Sequence, residues 1–164
     1  MSPMVALLNT IVLVMTGIIF QYVLIPAHIA DPFKPNLLII LVVYIGFRSA
    51  FRVGAVSSFL LGLLHDSLSG INFGLSGFSF LVIFFLYHEI ANRLYTRSRL
   101  LMMLGAFLAT FLHAFLSLVL LLIFSSSAGV YASILPSVLP QGLVNAVLSA
   151  CLINVIPLAG REKA

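Results

Sequence analysis

Charge is what this sequence has least of. Only 7% of its 164 residues are Asp, Glu, Lys or Arg, against 62% hydrophobic, and the mean hydropathy is +1.24. A water-soluble domain of this size cannot cover its surface with so few polar groups. That excludes a soluble catalytic or receptor domain and predicts an all-α integral membrane protein. At roughly 20 residues per span, the length allows about six helices joined by short loops. Cysteine is nearly missing as well. Cys151 stands alone in an apolar run and offers neither a disulfide nor a metal cluster, so it reads as a small packing residue.

Reactive constellations are also scarce. Zinc needs three or four converging ligands, and His65, His88 and His113 show no metal-binding spacing. His65, Asp66 and Ser67 are consecutive and point to different faces of a helix, so they make no triad. No phosphate loop or carboxylate pair is present. The expectation is therefore no catalytic residue, no metal, no cofactor and no enzyme activity. The net charge of +4 does not indicate nucleic acid, because the basic residues stand singly at segment ends. There they orient helices and meet lipid headgroups.

Six apolar segments make up a single transmembrane domain over 1–164. They run at about 4–26, 35–47, 53–69, 73–91, 100–124 and 135–157. The first is too long for a signal-peptide core and lacks a basic leader, so it reads as a retained span. The second covers only about 20 Å, less than the hydrocarbon core of about 30 Å. It reads as a tilted helix buried by partners, a span prolonged through Ala50, or a re-entrant half.

Charge placement favours six spans with both termini cytoplasmic. The inner side then holds Arg48, Arg52, Arg93, Arg97, Arg99, Arg161 and Lys163, and the outer side only Lys34. Tyr44, Tyr87 and Tyr95 fall near the inner interface, Tyr22 and Tyr131 near the outer one. Ser125–Ile134 is the one sizeable outer loop. Glu89 and Arg93 make an i,i+4 pair at a helix end.

Against this background Asp66 is conspicuous, the one acid deep within an apolar segment. With Gly54, Ser58, Gly62 and Gly70 it forms a straight stripe at four-residue spacing. Gly105, Ala109, His113 and Ser117 repeat the spacing on the fifth segment, and Gly142, Ala146, Ala150 and Asn154 on the sixth. Small residues let helix backbones approach in lipid, which predicts a compact bundle with a possible seam for another helix. Asp66 lies about 21 Å above Arg52 by helical rise, in the outer leaflet. Three arrangements suit its carboxylate: outer water, backbone N–H groups at the start of the fourth helix across a Gly70–Gly74 reversal, or a pair with His65 or His113. His113 is expected to make an interhelical hydrogen bond. Gln141, Asn145 and Ser149 form a polar ladder that either lines a cavity or ties helices together.

Two stretches carry a family resemblance: Pro35-Asn36-Leu37-Leu38, and the run from Gly54 through Gly62, Asp66, Ser69, Gly70 and Gly74-Leu75. The pattern G-x3-D-x-x-S-G-x3-G-L resembles the rod shape-determining protein MreD family. The likeness covers most of the chain. It implies a six-helix bundle like the substrate-binding S components of ECF vitamin transporters. It implies a non-enzymatic scaffold or regulator of the elongation (Rod) complex in the bacterial inner membrane. Such a scaffold binds MreC directly, and through it MreB, RodA and a class B penicillin-binding protein, in support of lateral peptidoglycan synthesis and rod shape. Pro35, Asn36, Gly54, Ser58, Gly62, Asp66, Gly70, Gly74 and His113 are the expected structural or partner-interface residues. Position 36 is often Asp in such proteins. The competing reading is a vitamin-binding transport subunit; the first segment, with Asn9, Thr10, Thr16, Gly17 and Gln21, lacks the A-x-x-x-A patch that role needs.

Overall fold

The structure, a computed structural model, describes residues 33–69, 74–93, 99–124 and 129–155, with backbone alone at 99, 124, 129–135 and 152–155. The expected first span, Gly70 and both termini lie outside the described residues. Those described form five helices: α1 (Leu37–Arg48), α2 (Phe51–Ser69), α3 (Leu75–Arg93), α4 (Arg99–Phe124) and α5 (Gly129–Val155).

The shortest helix sits at the centre. Asn36 opens α1 as its N-cap, its side-chain oxygen accepting the Ile39 N–H at 3.3 Å. The helix is apolar all round, and Leu38, Ile39, Ile40, Val42, Val43, Gly46 and Phe47 are buried on several sides at once. A helix with no polar face has to be enclosed. Here α2, α3 and α4 enclose it, and α5 meets its beginning. Its 12 residues rise only about 18 Å. The second segment is thus a short helix buried by partners, and it ends at Arg48 rather than running on through Ala50.

Helices α2 and α3 lie backbone to backbone. The buried face of α2 consists of Gly54, Ser58, Leu61, Gly62 and Asp66, so the small-residue stripe meets α3 of the same chain. A Cβ at Gly62 would lie 2.5 Å from both the Gly77 Cα and the Ser76 carbonyl oxygen. One at Gly54 would collide with the Phe84 ring. Gly74, at φ +96°, takes the left-handed conformation that ends the reversal before α3.

Helices α4 and α5 form a longer hairpin of 26 and 27 residues, about 39 and 40 Å of rise. Here the structure corrects the expected boundary. The last helix begins at Gly129 rather than near Leu135, and most of the expected Ser125–Ile134 loop is helical. Pro136 and Pro140 lie inside the helix. Proline forfeits one backbone bond in a helix, but packed membrane helices tolerate that loss where neighbours support them.

The core joins Leu38, Ile39, Val42, Val43 and Phe47 of α1 to Phe80, Ile83, Phe84 and Tyr87 of α3 and Met102 and Ala109 of α4. Tyr87 is a further correction. It is buried, with its ring edge-on to Phe47 at 5.2 Å and its hydroxyl donating to the Gly105 carbonyl at 2.7 Å, and it does not belong to an interfacial belt.

The surface is apolar where a soluble protein would be polar. Val53, Leu100, Leu122 and Ile123 are each at least 65% exposed, while Ser58, Ser79, Asn145 and Ser149 are 0% exposed. Two described helices, Leu75–Arg93 and Leu100–Ile123, are long and apolar enough to cross a membrane. The all-α class is thereby shown among the described residues.

Candidate functional site: a buried polar layer

Several of the polar side chains inside the bundle gather at one level, whereas Ser58 and Ser149 lie nearer the arginine-bearing end. Counted by helical rise from Arg48, Arg52 and Arg99, Asn36, Asp66 and His113 all lie about 18–21 Å from the arginine-bearing end, and Thr110 about 16 Å.

Asp66 closes the α2–α3 end of this layer. Its carboxylate accepts the Gly74 N–H at 2.8 Å, the Ser76 N–H at 3.0 and 3.1 Å, and the Gly77 N–H at 3.4 Å. It thus caps α3 from the neighbouring helix, supplying negative charge where the helix dipole favours it. The stripe geometry explains how it gets there. The Gly62–Gly77 contact brings the two helices close enough for a short Asp side chain to reach the first turn of α3. Of the three partners open to Asp66, the structure selects the backbone N–H groups. The His65 Nδ1 is 4.0 Å from Asp66 Oδ1, beyond hydrogen-bond range.

Donor and acceptor directions across the rest of the layer can be assigned in sequence. A backbone N–H only donates, so the Ile39 N–H identifies the Asn36 side-chain oxygen, and Asn36 Nδ2 is the atom that meets His65 Nε2 at 3.2 Å. Nε2 must then accept, the neutral ring carries its proton on Nδ1, and that proton is directed at Ser76 Oγ, 3.2 Å away. On the other side the Asn36 N–H donates to Asn145 Oδ1 at 2.8 Å, and Asn145 Nδ2 donates to Thr110 Oγ1 at 2.9 Å. The Thr110 hydroxyl donates to the Ala106 carbonyl at 2.8 Å. One hydrogen-bonded path, its donors directed outward from Asn36 on both sides, therefore touches all five described helices. Aspartate at position 36 would present lone pairs to His65 Nε2, and the neutral ring would then carry its proton on Nε2, with Nδ1 accepting from the Ser76 hydroxyl.

The ladder on α5 ties helices together. Gln141 donates to the Lys34 carbonyl at 3.1 Å, and the Ser149 hydroxyl lies 3.4 Å from the Met102 carbonyl and 2.7 Å from that of Ala146. His113 behaves differently from expectation at Nδ1. That atom is buried without a hydrogen-bond partner among the described residues, and the ring packs on Phe80 at 5.3 Å and His65 at 6.0 Å. Ser58 is fully buried on the α2 face, and Pro35 is buried beside Asn36. Sequence reasoning missed Ser76, Gly77 and Thr110. Ser76 and Gly77 carried a signal, since they follow directly on the Gly70–Gly74 reversal that Asp66 faces.

A family model described as rod shape-determining protein MreD matches residues 1–158. The chain belongs to the MreD family. No curated protein and no solved structure matches it. Membership brings with it a role in rod shape determination and an association with the membrane, in keeping with the two apolar helices. Gly62, Asp66 and Gly74 lie within the stretch that carries the MreD resemblance, and Ser76 and Gly77, which they meet, follow its end. In this MreD-family chain the stretch builds an intramolecular joint.

Proposed function

We propose that this MreD-family chain is a non-enzymatic scaffold of the rod-shape complex. It spans the bacterial inner membrane six times with both termini cytoplasmic. It binds MreC directly and acts through MreC on MreB, RodA and a class B penicillin-binding protein, supporting lateral peptidoglycan synthesis. The observation that carries the reading is the polar layer. In it Asn36, His65, Asp66 and Asn145 hydrogen-bond one helix to the next, as a rigid docking body requires. The family's role in rod shape supports the choice of complex.

The placement of charge supports the topology. Arg48, Arg52 and Arg93 share one end of the described bundle, where the α1–α2 turn packs against the last turns of α3, while Lys34 lies by the opposite end of α1. Because the α2 stripe is occupied by α3, the MreC helix docks on an outer face composed of larger side chains.

The test is complementation of a strain lacking the protein with wild-type chain or Asp66→Ala. The expected outcome for the variant is rounded cells together with reduced co-purification of MreC and reduced bundle stability. Full MreC retrieval and rod shape, with uptake of a solute lost, would sink the scaffold reading.

A further inference from the structure

The arginine-bearing end of the bundle holds a second cluster, separate from the polar layer. A two-residue turn, Ser49–Ala50, joins α1 to α2 and folds tightly, with the Ser49 N–H on the Ile45 carbonyl and the Gly54 N–H on the Ala50 carbonyl, both at 2.8 Å. Arg48 and Arg52 flank this turn. Between them Phe51 projects onto α3, stacked on Phe85 at 5.5 Å and edge-on to His88 at 5.4 Å, and His88 stacks on Phe84 at 5.4 Å. Phe51 is 53% and Phe85 42% exposed, so this aromatic floor lies open on the bundle surface.

Charge distinguishes the patch from an ordinary lipid-facing surface. Neither Arg48 nor Arg52 has an ion pair among the described residues. The nearest acid on α3 is Glu89, which Arg93 holds at 3.0 Å through both Nε and a terminal nitrogen. Two arginines without an ion pair among the described residues therefore flank the turn that carries Phe51 onto these rings, at one end of the bundle. Exposed phenylalanine rings insert at the boundary between headgroups and acyl chains, and guanidinium groups pair bidentately with phosphate oxygens.

We propose that Arg48 and Arg52, on either side of the turn that carries Phe51, form with the Phe51–Phe85–His88 floor a binding site for the headgroup of an anionic phospholipid. The guanidinium groups take the phosphate, and the rings receive the glycerol and the first acyl carbons. The proposal rests on the membrane placement given above but not on MreC.

The experiment uses the full chain purified in detergent, equilibrated with equal amounts of dioleoyl-phosphatidylglycerol and dioleoyl-phosphatidylcholine. Retained lipid is counted by native mass spectrometry. The wild type is expected to retain phosphatidylglycerol preferentially. Each basic group near a membrane surface contributes roughly 1 kcal/mol, about fivefold in affinity. Arg52→Gln is accordingly expected to weaken retention about fivefold, and Arg48→Gln with Arg52→Gln about thirtyfold. Arg93→Gln is expected to change it less than about twofold, as an exposed, already paired group contributes little. Helicity by circular dichroism accompanies each variant. Arg52→Gln, at an exposed side chain, decides the matter if the double variant loses its fold. Equal retention of the two lipids by the wild type, unchanged retention by Arg52→Gln, or displacement of phosphatidylglycerol by stoichiometric inorganic phosphate would each overturn the proposal. A lipid preference that persists in a chain unable to retrieve MreC upholds this site and counts against the scaffold alone.

Discussion

Helices α2 and α5 carry the same small-residue spacing and use it in opposite ways. On α2, Gly62 faces the backbone of α3, with Gly77 Cα and Ser76 oxygen both 2.5 Å from where a Cβ would stand. On α5, Gly142 faces aromatic rings of α4, the nearest atoms of Phe107 and Phe111 both 3.2 Å from its notional Cβ. At Gly62 the first seam offers no side chain that can move aside. The second is a hollow filled by two rings, themselves packed at 4.8 Å, which can turn. The polar groups differ in the same sense. The α2–α3 seam is closed by a carboxylate on several backbone N–H groups of one helix turn, the α4–α5 seam by an amide on one hydroxyl. Small-residue spacing thus reports that helices approach closely, and the partner atoms decide how much a substitution there costs.

Four substitutions sharpen this contrast, from the largest effect to the smallest. Asp66→Ala strips the acceptors from the start of α3 and is expected to cost about 3–5 kcal/mol, since hydrogen bonds to a charged group are worth about 1.5–3 kcal/mol each. Unfolding of the purified chain by denaturing detergent measures it, and a loss below about 1 kcal/mol would contradict the capping role. Gly62→Ala forces two backbones apart and is expected to cost about 2–3 kcal/mol, at the upper range for overpacking. The same unfolding assay checks it, as does loss of the monodisperse peak on size exclusion. Asn145→Ala breaks the hydrogen-bonded path in its middle. About 1–2 kcal/mol is expected, near the top of the range measured for interhelical bonds in membrane bundles. A double-mutant cycle with Thr110→Ala should show coupling, and strict additivity would mean that the path is not one unit. Gly142→Ala should cost less than about 1 kcal/mol, because the rings can yield. If it proves as costly as Gly62→Ala, the distinction between the two seams fails.

What could be read beforehand follows the range of the interactions. The α2 stripe was legible because four-residue spacing places side chains on one face whatever the tertiary structure. The capping of α3 by Asp66 was legible as one of three arrangements, because its partners follow within 8 to 11 residues across a glycine reversal. The link from Asn36 to Asn145 spans 109 residues and has no local signature. The start of α5 was misplaced because Pro136 and Pro140 look like punctuation in a linear reading, whereas a packed helix absorbs them. Tyr87 was assigned to an interface on distance from the charged end alone. Its burial depends on Gly105, which leaves a bare carbonyl for the hydroxyl to find. That the described α2 face is filled by α3 of the same chain was equally out of reach, since spacing does not say whose helix fills a groove.

The position of α1 has a consequence for biogenesis. It is the earliest of the described helices to be synthesised, too short to cross the hydrocarbon core at about 18 Å, and headed by an asparagine whose N–H is answered by Asn145. The residue that completes its surroundings leaves the ribosome 109 residues later. The bond between the first and the last of the described helices is thus the last of the layer that synthesis makes available, and the layer is complete only once α5 is in place.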